Sequence, residues 1–199
     1  HASMPIGAYS EKHIMPENKL VPVPDGVSNE VASCVTLKGI TAEYLLHRAY
    51  PLKKGDKVLY HAAAGALGQI LCPWANSIGA EIIGTVGSKE KEEIAKKNGC
   101  HHVINYTDKN FVEEVEKIVG KNGIDVVYDG VGLKTFEGSI EVLKIRGMMV
   151  AFGNASGYVD TIDVKKHINA KGLFFTRPSI AHYTIEREEL LESAKKVFD

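Results

Sequence analysis

The chain has 199 residues, 44% hydrophobic and 25% charged, and its 24 basic and 25 acidic side chains leave a formal net charge of −1. This is the make-up of an ordinary globular protein with one substantial core, and the charge balance gives no general pull toward nucleic acid or acidic membrane. No apolar run approaches the ~18 residues of a membrane span, no signal-peptide pattern is present, and His1-Ala2-Ser3-Met4 reads as a cloning remnant ahead of an internal start.

Residues 5–27 carry Pro5, Pro16, Pro22 and Pro24 with only short extended runs such as Lys19-Leu20-Val21, which predicts irregular or edge-strand material. Pro24-Asp25-Gly26-Val27-Ser28 leads into an apolar helical stretch. Its Val31, Val35, Leu37, Ile40, Leu45 and Leu46 are too dense for one clean face, so a well-buried helix is expected.

From Lys57 onward short apolar runs alternate with helical periodicity. Strands are predicted at Val58–His61, Glu81–Val86, His102–Asn105, Ile124–Tyr128, Met148–Phe152 and Gly172–Thr176. Helices are predicted at Leu67–Ile78, Lys89–Asn98, Phe111–Val119, Thr135–Leu143 and Ile185–Phe198, with Gly99 and Gly120 as stops. Such alternation implies parallel pairing through right-handed crossovers. The expected architecture is α/β, a Rossmann-type doubly wound six-stranded parallel sheet in the order 3-2-1-4-5-6.

The turn after the first strand, Ala63-Ala64-Gly65-Ala66-Leu67-Gly68, is a relaxed form of the G-x-G-x-x-G fingerprint, whose small residues let backbone N–H groups approach a pyrophosphate. A tight turn with no ligand explains such a loop equally well. The second strand ends in Thr85-Val86-Gly87-Ser88-Lys89-Glu90-Lys91, without the carboxylate that would hold the ribose of NAD. Gly87 opens space there, Ser88 offers a cap hydroxyl, and Lys89 and Lys91 oppose the helix dipole. A 2′-phosphate, as in NADPH, would relieve that conflict; neutralisation by Glu90, Glu92 and Glu93 is the competing explanation. Tyr106 can reach the same place from the neighbouring strand, although a lone tyrosine is more often a partly buried packing residue.

Gly130-Val131-Gly132 and Gly153-Asn154-Ala155-Ser156-Gly157 follow the fourth and fifth strands, where a nicotinamide ribose would pass, although either can be only a turn. Asp125 and Asp129 read as structural caps. Cys34, Cys72 and Cys100 form neither a disulfide framework nor a metal cluster, and buried, inert thiols in a reducing cytoplasm are expected.

The combination of His61-Ala62-Ala63-Ala64-Gly65-Ala66-Leu67-Gly68, Trp74-Ala75, Gly84-Thr85-Val86-Gly87 and Val103-Ile104-Asn105-Tyr106 resembles the zeta-crystallin-type, NADPH-dependent quinone oxidoreductases. These are the zinc-free branch of the medium-chain dehydrogenase/reductase superfamily. Val127-Tyr128-Asp129-Gly130-Val131-Gly132, Phe152-Gly153-Asn154 and Thr176-Arg177-Pro178-Ser179 continue the likeness, as do Gly7-Ala8-Tyr9-Ser10 and Lys38-Gly39-Ile40-Thr41 upstream. It extends over nearly the whole chain.

The resemblance implies an NADPH-binding domain over 51–199, preceded at 5–50 by a remnant of a GroES-like β domain and a connecting helix, as in a fragment of a larger enzyme. It implies that Lys91 and Tyr106 hold the 2′-phosphate, with Gly87 and Ser88 beside them. Ala66 and Leu67 would supply amides to the pyrophosphate within the Gly65–Gly68 turn. Thr41, Tyr44, Val131, Gly153 and Asn154 would line the rest of the groove, and Arg177 would face the active-site side.

The implied activity is quinone reduction by hydride or one-electron transfer, with a homodimer formed through the edge strand Gly172–Thr176. An enoyl or alkenal double-bond reductase of the same superfamily is the alternative. A non-catalytic module binding RNA through the cofactor cleft is the alternative of another class, against which the near-neutral charge argues. The chain departs from the family at Ala66, where glycine is usual, and at Pro73 inside the first helix of the domain, where a bend is expected. Leu37 replaces the cysteine that ligates zinc in the alcohol dehydrogenases, so no catalytic zinc is expected.

Overall fold

The computed structural model describes residues 6–199, so the His1–Met4 remnant lies outside the described residues. In chain order the main elements are α1 (Asn29–Tyr44), β1 (Lys57–His61), α2 (Gly68–Ile78), β2 (Glu81–Val86), α3 (Lys89–Lys97) and β3 (His102–Asn105). They continue with α4 (Phe111–Val119), β4 (Ile124–Asp129), α5 (Phe136–Val142), β5 (Leu143–Ala151), β6 (Phe174–Thr176) and α6 (Arg187–Phe198). The chain divides into two compact units, one formed by residues up to Tyr44 with Ser179–Asp199, the other by Leu45–Pro178.

The larger unit is the doubly wound domain. Its six strands run in the order β3-β2-β1-β4-β5-β6, and every pairing is parallel. Parallel strands covered on both faces read as apolar runs. β4 is accordingly buried at all six positions, and β2 at five of its six. The order reverses between β1 and β4, and such a switch point opens a crevice at the carboxyl ends of the strands.

The helices start and stop where local chemistry dictates. Ser88 caps α3 by accepting from Lys91 N–H, and Asn110 caps α4 by accepting from Val112 N–H. Gly79, at φ 90°, closes α2 in the left-handed conformation that glycine adopts without strain. α2 continues through Pro73 to Ile78.

β5 differs from expectation. It starts at Leu143, with a register shift against β4 between Ile124 and Val126 and with Arg146 at φ 61°. An irregularity absorbs the residues that read as a loop. β6 is also shorter than the predicted Gly172–Thr176, because Gly172 takes a turn conformation at φ 57°.

The smaller unit pairs α1 with α6 around Ile40, Leu190 and Ala194. The expectation that α1 is buried throughout is corrected. Val31 is 52% and Leu37 45% exposed, whereas Ala32, Thr36, Gly39, Ile40 and Glu43 are buried. Spacings of three and four residues place that set on one stripe. The helix therefore packs through its small residues, and Gly39 leaves room for Val197. Cys34 is exposed on the same helix, while Cys72 and Cys100 are buried in the larger unit. The thiols are thus not uniformly buried as expected.

Candidate functional site

β1 ends at His61, and the chain turns sharply. Ala62 adopts φ 60°, a left-handed conformation that costs an L residue about 1 kcal/mol. Two bonds hold the turn: Ala63 N–H donates to Thr85 C=O at 3.0 Å, and Gly65 N–H donates to Ala62 C=O at 2.8 Å. α2 follows at once. A Cβ on Gly68 would lie 2.2 Å from Ala63 O, so only glycine permits this close return of helix onto strand. The N–H groups of Ala66 and Leu67 donate to no acceptor among the described residues, and Gly65 and Ala66 are exposed. Unused amides at the start of a helix suit an anionic oxygen.

At the end of β2, Gly87 meets Tyr106, which follows β3. A Cβ on Gly87 would lie 2.8 Å from the Tyr106 hydroxyl oxygen. Tyr106 N–H donates to Val86 C=O at 3.1 Å, which fixes the residue beside the β2 end. Lys91, in the first turn of α3, is exposed and makes no ion pair among the described residues; the nearby Glu93 pairs with Lys96 instead. The expected cluster of Gly87, Ser88, Lys91 and Tyr106 thus gathers at one strand end.

The third turn follows β4. Asp129 is fully buried, and its Oδ1 accepts from Val131 N–H at 2.7 Å and Gly132 N–H at 2.9 Å. Its Oδ2 accepts from the Thr135 hydroxyl at 2.7 Å. Asp129 is the cap expected from the sequence. Gly153, after β5, packs so closely on this turn that a Cβ would lie 2.3 Å from Gly130 O.

A cavity of about 280 Å³ opens beside these turns, lined by Gly132, Gly153, Asn154, Tyr158, Phe175 and Arg177 among others. Arg177 Nη1 donates to Ala151 C=O at 3.0 Å. Of the remaining candidates, Thr41 donates its hydroxyl to Leu37 C=O within α1. Tyr44 is buried in the smaller unit, its ring stacked on Tyr183 at 4.5 Å.

One group of polar residues received no role in the sequence reading. His61 Nδ1 lies 2.9 Å from Thr85 Oγ1 and Nε2 lies 2.9 Å from Ser139 Oγ, all three residues being buried. Burial holds the His61 imidazole below its ordinary pKa against the opposing pull of Asp129, so the ring is neutral. The available signal was chemical: His61, Thr85 and Ser139 are polar side chains at buried strand and helix positions.

A doubly wound parallel sheet with unused amides at its switch point has the layout of a dinucleotide-binding domain. The chain belongs to the zinc-binding dehydrogenase family, whose pattern matches residues 66–197. It is similar to a 2-haloacrylate reductase of Burkholderia sp., with 46% identity over 98% of this chain and 60% of that protein. It is also similar to a quinone oxidoreductase of Salmonella typhimurium, with 44% identity over 100% of this chain and 61% of that protein. Among solved structures, an Escherichia coli quinone oxidoreductase complexed with NADPH superposes with a TM-score of 0.85 at 44% identity, covering 88% of this chain and 54% of that one. The chain thus spans about 60% of the length of the curated relatives it matches.

The family's name implies zinc, and the residues described do not fit it. Among the described residues no three His, Cys, Asp or Glu side chains converge. Cys34 belongs to the smaller unit, Cys72 and Cys100 to the larger.

Proposed function

We propose that this chain is the NADPH-binding part of an oxidoreductase that reduces quinones. The observation that carries the cofactor choice is the end of β2, where Gly87, Ser88, Tyr106 and the exposed Lys91 lie and no ribose-binding carboxylate ends the strand. Lys91 and the Tyr106 hydroxyl would hold the 2′-phosphate, and the Ala66 and Leu67 amides the diphosphate. Val131, Gly153, Asn154 and Arg177 would border the nicotinamide half.

When bound, NADPH supplies the hydride, and the protein's part is to orient it against a flat acceptor. Titration with NADPH and NADH tests the reading. Tighter binding of NADPH is expected; equal affinity for both, or none for either, sinks it.

The quinone is supported by the relatives at 40–44% identity that carry that name. A second reading, reduction of an activated carbon–carbon double bond, is favoured by the relative named 2-haloacrylate reductase at 46% identity. Turnover of a quinone against 2-chloroacrylate by the full-length protein separates the two.

We further infer a homodimer formed through β6. This strand lies at the sheet edge and exposes 57% of Phe174, and a free apolar edge invites pairing with a second copy. Sedimentation as a monomer at micromolar concentration would contradict it. No helix among the described residues is long and apolar enough to cross a membrane. The free thiols suit a reducing cytoplasm.

A further inference from the structure

His61 is 1% exposed, yet it stands at the origin of the first of the three turns. It is the last residue of β1, immediately before the strained Ala62. Its register partner across the sheet is Thr85, two residues before Gly87. Thr85 therefore holds the first turn twice, by its carbonyl to Ala63 N–H and by its hydroxyl to the His61 ring. On the other side Ser139, from α5, joins His61 to Asp129 and Thr135. Asp129 in turn fixes the Val131–Gly132 turn. Phe111 packs edge-on against the imidazole, with ring centroids 5.0 Å apart.

Proton counting assigns the tautomer. Ser139 Oγ has one hydrogen and two neighbours that can only accept, Thr135 C=O at 2.8 Å and Asp129 Oδ2 at 3.3 Å. The hydroxyl hydrogen goes to one of these, so the oxygen turns a lone pair toward His61. Nε2 must then carry the proton and donate. Nδ1 is left as acceptor, and the Thr85 hydroxyl, with no other partner among the described residues, donates to it. The hydrogens from Thr85 through His61 to Ser139 Oγ thereby run in one direction.

We propose that His61, as its Nε2–H tautomer, is the positioning residue that holds the 62–68, 87–88 and 130–132 turns in register for the dinucleotide. This rests on the nucleotide reading above. The ring's two bonds carry the role, because they span from β2 to α5 through the interior. Glutamine keeps a donor for Ser139; leucine keeps bulk but neither bond.

The test combines ring NMR with NADPH titration of folded variants. Nitrogen-15 histidine spectra of the wild-type protein are expected to show a His61 Nδ1 without a proton and an Nε2 with one; the reverse tautomer overturns the proposal. His61→Leu is expected to raise the NADPH Kd by about tenfold or more, the effect of losing a buried hydrogen bond in a preorganised site. His61→Gln should remain within about threefold of wild type.

Ser139→Ala, which removes the acceptor without touching β1, should weaken binding in the same direction if His61→Leu does not fold. A folded His61→Leu or Ser139→Ala that binds NADPH as tightly as wild type overturns the positioning role while leaving the nucleotide reading intact. A wild-type protein with the expected tautomer that binds no NADPH overturns the nucleotide reading itself.

Discussion

Gly87 and Tyr106 share one space: a Cβ at position 87 would lie 2.8 Å from the Tyr106 hydroxyl oxygen and 3.2 Å from its ring. Residues 19 positions apart are brought together because β2 and β3 pair in parallel with Val86 opposite Asn105.

That contact makes Gly87→Ala and Lys91→Ala a matched pair. Lys91→Ala is expected to raise the NADPH Kd by about tenfold, as for a lost charged hydrogen bond on an exposed site, with NADH changed by less than about threefold. Gly87→Ala must displace Tyr106 and should act in the same direction. Fluorescence titration reads both; parallel losses for NADPH and NADH would show that neither residue discriminates between them.

His61 makes stability depend on pH with a definite sign. Burial lowers its pKa below the ordinary 6.5, outweighing the Asp129 carboxylate, which raises it. Below 6.5 the unfolded chain takes up a proton that the folded ring resists, so the unfolded state binds more protons and stability is lost as pH falls. Above 6.5 this loss is absent. The urea-unfolding free energy of wild type minus that of His61→Gln should therefore decline between about pH 7 and about pH 5. A difference independent of pH would refute the assignment.

Packing of α1 on α6 depends on the absence of a side chain at Gly39, where a Cβ would lie 2.3 Å from Val197 Cγ1. Gly39→Ala should destabilise the smaller unit by about 1–3 kcal/mol through overpacking, despite the better helix propensity of alanine. Val197→Ala added to it should recover part of the loss. Additive melting shifts in the double variant would show that the two positions do not interact.

The three thiols should separate by reactivity. Cys34 is exposed, whereas Cys72 is buried and held upward in pKa by its bond to Cys100 and by burial. Titration of the native protein with a disulfide reagent should release one equivalent rapidly, and the remainder only on unfolding. Rapid release of more than one equivalent would contradict the burial of the pair.

Much of the larger unit is legible in the chain because apolar runs and their interruptions are local. Glu81-Ile82-Ile83-Gly84-Thr85-Val86 and Ile124-Asp125-Val126-Val127-Tyr128-Asp129 read as strands because a parallel sheet covered on both faces demands apolar side chains in succession. The start of β5 was not legible: a register shift and the left-handed Arg146 compensate each other only once β4 lies alongside. The burial of α1 was misread because large apolar residues stood in for the buried stripe. Ala32, Thr36 and Gly39 make that stripe, and small residues carry little hydropathic signal.

By itself the amino-acid sequence determined the strand and helix alternation, the sheet order it implies, and the small-residue turn at Ala63–Gly68, each a matter of neighbouring residues and backbone preference. Only the tertiary structure decided that His61 joins Thr85, 24 residues away, to Ser139, 78 residues away, and so ties three separate turns into one hydrogen-bonded chain. The periodicity of a strand says which face a residue occupies. Strand register and helix placement, both set by packing across the whole sheet, decide which polar group meets it there.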